Sequence, residues 1–169
     1  MLLDLKGFFS SENEKKEKPF SFSFSMADVE MDGIYPFVSP IAVTGKAKTE
    51  NGAVRLTAEV SYEFKAACNR CLTEIHELKK ELFEHLLLLS DEDSPDDTYI
   101  RVSEEAIELS QLLREDIILN IPTVLLCRED CKGLCPKCGK NLNNGPCGCR
   151  EDSVDPRLEI LKNLINQEL

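Results

Sequence analysis

The segments IAVTGKAKTE (41–50), NG (51–52) and AVRLTAEVSYEFK (53–65) decide the fold. Ile41, Val43, Gly45 and Ala47 alternate with Ala42, Thr44, Lys46 and Lys48. After Asn51-Gly52, Val54, Leu56, Ala58, Val60, Tyr62 and Phe64 alternate with Arg55, Thr57, Glu59, Ser61, Glu63 and Lys65. A period of two puts one set on a buried face and the other in water. Asn-Gly supplies the two positive φ angles of a tight turn. The reading is a long antiparallel hairpin.

Working outward, Phe20, Phe22, Phe24 and Met26 alternate with Ser21, Ser23 and Ser25, which predicts another half-buried strand. Met1 to Phe9 fits a further strand, with the charged segment Ser10 to Lys18 as a loop between them. Leu72 to Leu89 is ambiguous: Ile75, Leu78, Leu82, Leu86 and Leu89 follow helical spacing, yet the segment leaves a sheet directly. Ser90 to Thr98, with Pro95 and many acids, reads as a solvated loop. Ser110 to Asn120 reads as a helix, capped by Ser110, apolar at Leu112, Leu113, Ile117 and Ile118, and stopped by Pro122. A last helix opens at Asp155-Pro156 and places Leu158, Leu161, Leu164 and Ile165 on one stripe, read as a docking face for the core. The expected class is α+β. It comprises an antiparallel sheet, as a meander or partly closed barrel, a few helices and a C-terminal cysteine-rich zinc ribbon. The expected division is a sheet domain over 1–126 and a ribbon with its helix over 127–169.

Bulk composition narrows the function. The hydrophobic fraction of 42% and charged fraction of 30% are those of a globular chain. No run approaches the roughly 20 apolar residues of a membrane helix. The first residues lack the pattern of a secretory signal, so a cytoplasmic protein without membrane partners is expected. A net charge of −11 argues against non-specific coating of nucleic acid. Acids crowd between His85 and Ile117. Between Cys127 and Arg150 the balance reverses, with Arg128, Lys132, Lys137, Lys140 and Arg150 against Glu129 and Asp130. Histidine is the commonest general base. The two here, His76 and His85, have no motif around them and read as surface or sheet-face residues. No catalytic residue and no small-molecule substrate are expected.

The chemistry lies in eight cysteines: Cys68, Cys71, Cys127, Cys131, Cys135, Cys138, Cys147 and Cys149. In a reducing compartment, short spacings among thiols point to metal rather than disulfides. Zinc takes four soft ligands in a tetrahedron. Cys68-Asn69-Arg70-Cys71 ends the hairpin strand, and Cys135-Pro136-Lys137-Cys138-Gly139 has a glycine to turn the backbone; both have knuckle spacing. Two divisions are open. Cys135, Cys138, Cys147 and Cys149 can close a small ribbon, leaving Cys68, Cys71, Cys127 and Cys131 as a second site. Alternatively Cys127, Cys131, Cys135 and Cys138 share one ion, and Cys68 with Cys71 joins Cys147 and Cys149 or stands as a redox dithiol. The first is favoured because four ligands on one short loop would be crowded. One or two structural Zn2+ ions are the expected cofactor; an all-cysteine set without histidine looks closed to catalysis.

The order of features has a further likeness. Cys68-Asn69-Arg70-Cys71-Leu72 closes a sheet-forming half, LSQLLREDIILNIP (109–122) follows an acidic loop, and LCREDCKGLCPKCG (126–139) precedes Asn141-Leu142-Asn143 and Asp155-Pro156-Arg157. This resembles the bacterial YceD family, the large ribosomal RNA subunit accumulation proteins, over nearly the whole chain. The resemblance implies a non-enzymatic role in making or maintaining large-subunit ribosomal RNA. Some relatives have only the first C-x-x-C pair, which implies a first site on Cys68 and Cys71 with the later ribbon as an elaboration. It also pushes Leu72 to Leu89 toward strand.

The leading expectation is a zinc-binding ribosome-biogenesis factor whose partner is precursor rRNA or a basic large-subunit ribosomal protein. Arg70, Arg128, Lys132, Lys137 and Lys140 are the expected contact residues. The alternatives are a thiol–disulfide oxidoreductase at Cys68 and Cys71, a zinc hydrolase, or a zinc-stabilised interaction module unrelated to ribosomes.

Overall fold

A computed structural model describes residues 1–9, 16–50, 52–89, 99–102 and 106–149. The loop expected at Ser90–Thr98, residues 10–15 of the charged segment, Arg150 and the helix expected from Asp155 lie outside those residues. The elements are β1 (Leu2–Asp4), β2 (Glu17–Phe24), β3 (Ile41–Glu50), β4 (Ala53–Ala67), β5 (Glu74–Leu89), β6 (Tyr99–Val102), β7 (Ala106–Glu108) and α1 (Leu109–Asn120). A short 3-10 turn spans Leu142–Asn144.

The alternation in β3 and β4 does what a period of two dictates. The pair runs antiparallel from Glu50 opposite Ala53 to Ala42 opposite Ser61. Gly52 takes φ +82° at the turn, while Asn51 lies outside the described residues. Val43, Ala47, Val54, Leu56, Ala58, Val60, Tyr62 and Phe64 are buried on one face. Each large apolar side chain so buried stabilises by about 1.5–3 kcal/mol against exposure. Phe20 faces Gly45 across the β2–β3 pair. A Cβ at Gly45 would stand 2.5 Å from Phe20 Cζ and 2.3 Å from the Thr57 carbonyl oxygen, so only glycine lets that ring lie against the strand.

β5 resolves the ambiguous segment as strand. It pairs antiparallel with β4 from Ala67 opposite Glu74 to Val54 opposite Leu87. Helical spacing loses because the backbone groups along β4 are bonded by an equally long neighbour. Ile75 and Leu87 face the core, whereas Leu78 and Leu82 point to the outer face and are exposed. The five-stranded sheet has the order β2-β3-β4-β5-β6, a meander through β5 with β6 added in parallel. It is open, with β2 and β6 at its ends, and not a closed barrel. β1 and β7 form a separate antiparallel pair.

Among the described residues there is one α-helix, at the place of the first expected one. α1 starts one residue before the expected Ser110, and Glu108 caps it by accepting the Ser110 backbone N–H. Leu109, Leu113 and Ile117 are buried in the main core with the sheet residues. Asp116 meets His85 of β5 at 2.8 Å, and Arg114 donates to both Asp28 carboxylate oxygens at 3.1 and 2.6 Å. These ties fix the helix on the sheet, and so fix where the chain after Asn120 begins its run toward the cysteines.

Candidate metal centre

The first C-x-x-C pair is the turn between β4 and β5. The Cys68 N–H donates to the Thr73 carbonyl and the Leu72 N–H to the Cys68 carbonyl, each at 2.9 Å. The second pair repeats this pattern. The Cys135 N–H donates to the Lys140 carbonyl at 2.8 Å and the Gly139 N–H to the Cys135 carbonyl at 2.9 Å. The left-handed residue is Gly139 (φ +70°) in the second knuckle and Leu72 (φ +59°) in the first. A side chain at that angle costs about 1–2 kcal/mol, so the first knuckle holds its geometry against strain.

The chain leaving α1 is clamped to the first knuckle. The Asn69 N–H donates to the Leu125 carbonyl at 2.8 Å, and Asn69 Oδ1 accepts the Leu125 N–H at 2.5 Å. This brings Cys127 and Cys131 onto the turn. Cys71 and Cys127 sulfurs stand 3.5 Å apart, and those of Cys68 and Cys131 3.7 Å apart. Four sulfurs, from Cys68, Cys71, Cys127 and Cys131, lie within 4.8 Å of one another, as do those of Cys135, Cys138, Cys147 and Cys149. The grouping follows the first of the two divisions read from spacing. Zinc–sulfur bonds of about 2.3 Å in a tetrahedron put ligand sulfurs about 3.8 Å apart, so the donor type, number and spacing fit such an ion.

The two groups differ in setting. Cys68, Cys71 and Cys131 are buried with Ile75 in a small core of their own, leaving only Cys127 exposed. In the second group Cys135 is buried, Cys147 is intermediate, and Cys138 and Cys149 are exposed.

Packing four thiols together splits their acidities. At Cys68 burial pushes the thiol up, but backbone N–H groups of Cys127, Cys71 and Arg70 outweigh it and bring it down to about 6. The Thr73 hydroxyl beside Cys71 holds that thiol below its ordinary range. Cys127, although the residue is exposed, is pushed up to about 12 by the loss of solvation where its sulfur packs into the group, and then by the sulfurs of Cys71 and Cys131. In the second group, the backbone N–H groups of Cys138 and Lys137 bring Cys135 to about 6. The Cys138 and Cys147 thiols push Cys149 to about 12. A cation at the centre of each group would remove this conflict, because a bound thiol is deprotonated outright.

Residues of the second loop also support the first group. Asn143 Nδ2 donates to Cys131 Sγ at 3.3 Å, while its Oδ1 accepts from Arg128 and from the Lys132 N–H, each at 2.8 Å. Asn141 Nδ2 donates to Thr73 Oγ1 at 3.3 Å. Such outer contacts orient metal ligands. These asparagines were not among the expected site residues. Their Asn-Leu-Asn spacing, two cap-forming side chains in a turn, was the available signal.

The expected contact residues are all exposed and have work inside the tail. The Arg70 guanidinium donates to the Cys131 carbonyl at 3.0 Å. Arg128 also pairs with Asp130 at 3.2 Å, and Lys140 donates to the Pro146 carbonyl at 2.9 Å. Lys132 and Lys137 contribute the backbone N–H groups already described. His76 and His85 stand on β5 beside Glu63 and Asp116, outside both sulfur groups.

An open, mostly antiparallel sheet, with a four-cysteine group at the end of its longest hairpin and a second in the segment after Cys131, defines a cysteine-cluster protein suited to metal. The chain belongs to the YceD family: the family model described as large ribosomal RNA subunit accumulation protein YceD matches residues 56–165. A Mycobacterium tuberculosis protein is 32% identical over 127 residues, covering 73% of this chain and 61% of that relative. The chain thus spans about three-fifths of its mycobacterial relatives. Bacillus subtilis YlbN is 31% identical over 136 residues, covering 78% of this chain and 77% of YlbN. An Arabidopsis thaliana protein named large ribosomal RNA subunit accumulation protein YCED homolog 1, chloroplastic, is 38% identical over 61 residues, 36% of this chain and 19% of that protein. No solved structure matches the chain. No helix among the described residues is long and apolar enough to cross a membrane.

Proposed function

We propose that the chain is a non-enzymatic factor supporting accumulation of large-subunit ribosomal RNA, and that each cysteine group holds one structural Zn2+. The observation behind this reading is the gathering of all eight cysteines into two groups of four sulfurs, in a chain whose family is described by that role. Four thiolates complete a tetrahedral zinc shell, so nothing is left open for a reacting water. Cys68 and Cys71 share their site with Cys127 and Cys131, which supports a ligand role over a free redox dithiol.

On this reading the first ion joins the sheet unit 1–126 to the ribbon unit 127–169, taking Cys68 and Cys71 from one and Cys127 and Cys131 from the other, and the second ion closes the loop that carries Cys135, Cys138, Cys147 and Cys149. Together the two ions fix an exposed basic surface over Arg70, Arg128, Lys132, Lys137 and Lys140 for precursor rRNA or a ribosomal protein in the cytoplasm. The test is depletion in the native organism, measuring the ratio of large- to small-subunit rRNA with precursor ends mapped. A fall in that ratio, restored by the wild-type chain, is expected. An unchanged ratio would remove the ribosomal role and leave a zinc-stapled interaction module.

A further inference from the structure

β5 is the longest strand, and over most of its length one edge has no neighbouring strand among the described residues. It pairs with β4 from Glu74 to Leu87, but with β6 only at Leu86–Leu89. From Glu74 to His85 the other edge has no strand beside it among the described residues. An unpaired edge is a template for another strand. The outer face there displays Leu78 and Leu82, which are 64% and 63% exposed although they sit mid-strand.

We infer that this edge pairs with the β5 edge of a second copy, antiparallel, about a two-fold axis at Lys80. The sequence around that residue is self-complementary. In this register Leu78 faces Leu82 of the second copy, Lys79 faces its Glu81, and His76 faces its Glu84. Directly opposed residues share a face, so the four exposed leucines come together. Centring on Lys79 instead would oppose Glu77 to Glu81 and Glu74 to Glu84. Centring on Glu81 would oppose Leu78 to Glu84 and separate the leucines.

A second, independent observation concerns Glu81. Its Oε1 accepts the Tyr62 hydroxyl at 3.1 Å, while Oε2 is buried with no hydrogen-bond partner among the described residues. Such an atom is costly to leave unmet. The second copy's Lys79, directly opposite on that face, would supply the missing donor. Lys80 faces Lys80 of the second copy. On β4 the residue opposite it is Ser61, with Glu59 and Glu63 two residues to either side on the same face.

The pairing does not depend on metal or on the ribosomal role. Its test is sedimentation velocity of the full 169-residue, zinc-loaded chain across a concentration series. A dimer is expected. Lys79→Glu and Glu81→Lys should each weaken it about tenfold or more, since each puts like charges opposite twice per dimer. An equimolar mixture of the two variants should recover it, because each then meets its complement. Leu78→Asp, on the exposed face and away from Tyr62, should also give monomer, and stands in if Glu81→Lys fails to fold. A wild-type monomer throughout the series would overturn the inference. So would dimers that survive Lys79→Glu and Leu78→Asp, or a mixture of folded variants that stays monomeric.

Discussion

Asn143 donates its side-chain amide to Cys131 Sγ, so a residue in the loop of the second cysteine group supports a sulfur of the first. The same side chain accepts from the Lys132 backbone and the Arg128 guanidinium. The two groups are therefore joined through a hydrogen-bonded asparagine as well as through the chain. The Leu134 N–H, donating to the Arg70 carbonyl at 3.1 Å, ties the same segment to the first knuckle.

Asn143→Ala removes one donor and one acceptor at once. Leaving the Lys132 N–H and Cys131 without these partners should lower stability by about 1–2 kcal/mol. Loss of an outer-shell partner should also weaken metal at the first group by roughly 10- to 100-fold. Competition with a chromogenic chelator reads the second effect. Unchanged affinity would show that Asn143 shapes the loop alone.

Gly45→Ala tests the sheet. The new Cβ would meet the Thr57 carbonyl at 2.3 Å and the Phe20 ring at 2.5 Å. The ring can turn aside, but the carbonyl belongs to the paired strand. Overpacking of this kind should cost about 1–3 kcal/mol in denaturant unfolding. Phe20→Ala on the same background should not restore the loss, since the backbone contact persists.

The sequence made the hairpin and the cysteine grouping legible for different reasons. β3 and β4 have one face in the core and one in water, so their alternation is plain. β5 hides its nature: Ile75, Leu78, Leu82, Leu86 and Leu89 repeat with helical spacing because Leu78 and Leu82 sit on the outer face. An apolar residue there has no signature of its own. The parallel β6 was illegible because pairing at Leu86–Leu89 is a tertiary choice. The cap of α1 was misplaced by two residues because Glu108 does from its side chain what Ser110 was expected to do. The sulfur grouping could be argued from reach. Its supports, Asn69, Asn141 and Asn143, work through the folded turn, and only the Asn-Leu-Asn run at 141–143 leaves a trace of them in the sequence.

Acid should release the metal. In the metal-free chain, Cys68 is held down at about 6 and Cys127 is pushed up to about 12. A depressed group contributes stability above its unfolded value near 9, lost as pH falls through 6. A raised group contributes below its unfolded value, lost as pH rises through 12. Across pH 6 to 9 Cys68 therefore gains stability with rising pH, and Cys127 begins to lose it only above 9. With an ion bound, all four sulfurs are thiolates, and protons compete with the metal. Occupancy should hold at neutral pH and fall with acid, followed as free zinc. The exposed Cys138 and Cys149 should make the second group yield first, to acid and to chelator alike. Release of the first group before the second would contradict the burial argument.

The separateness of the two groups is open to direct substitution. Cys71→Ser removes a sulfur from the buried group, and Cys138→Ser one from the exposed group. Elemental analysis of the purified chains should give two zinc ions for the wild type and one for each variant. The consequences for the fold should differ. Cys68, Cys71, Ile75 and Cys131 form a small core with Leu125 and Leu126 around it, and that core roots the tail on the β4–β5 turn. Structural zinc contributes folding energy outright, so Cys71→Ser should lower the melting temperature markedly and expose the 121–134 segment to protease. Cys138→Ser leaves that root intact, so it should spare the sheet's melting transition and free only the loop after Cys135. If either single substitution strips both ions, the groups form one cooperative metal unit. In that case the hydrogen bonds of Asn143 and Arg70 link two sites that fill and empty together.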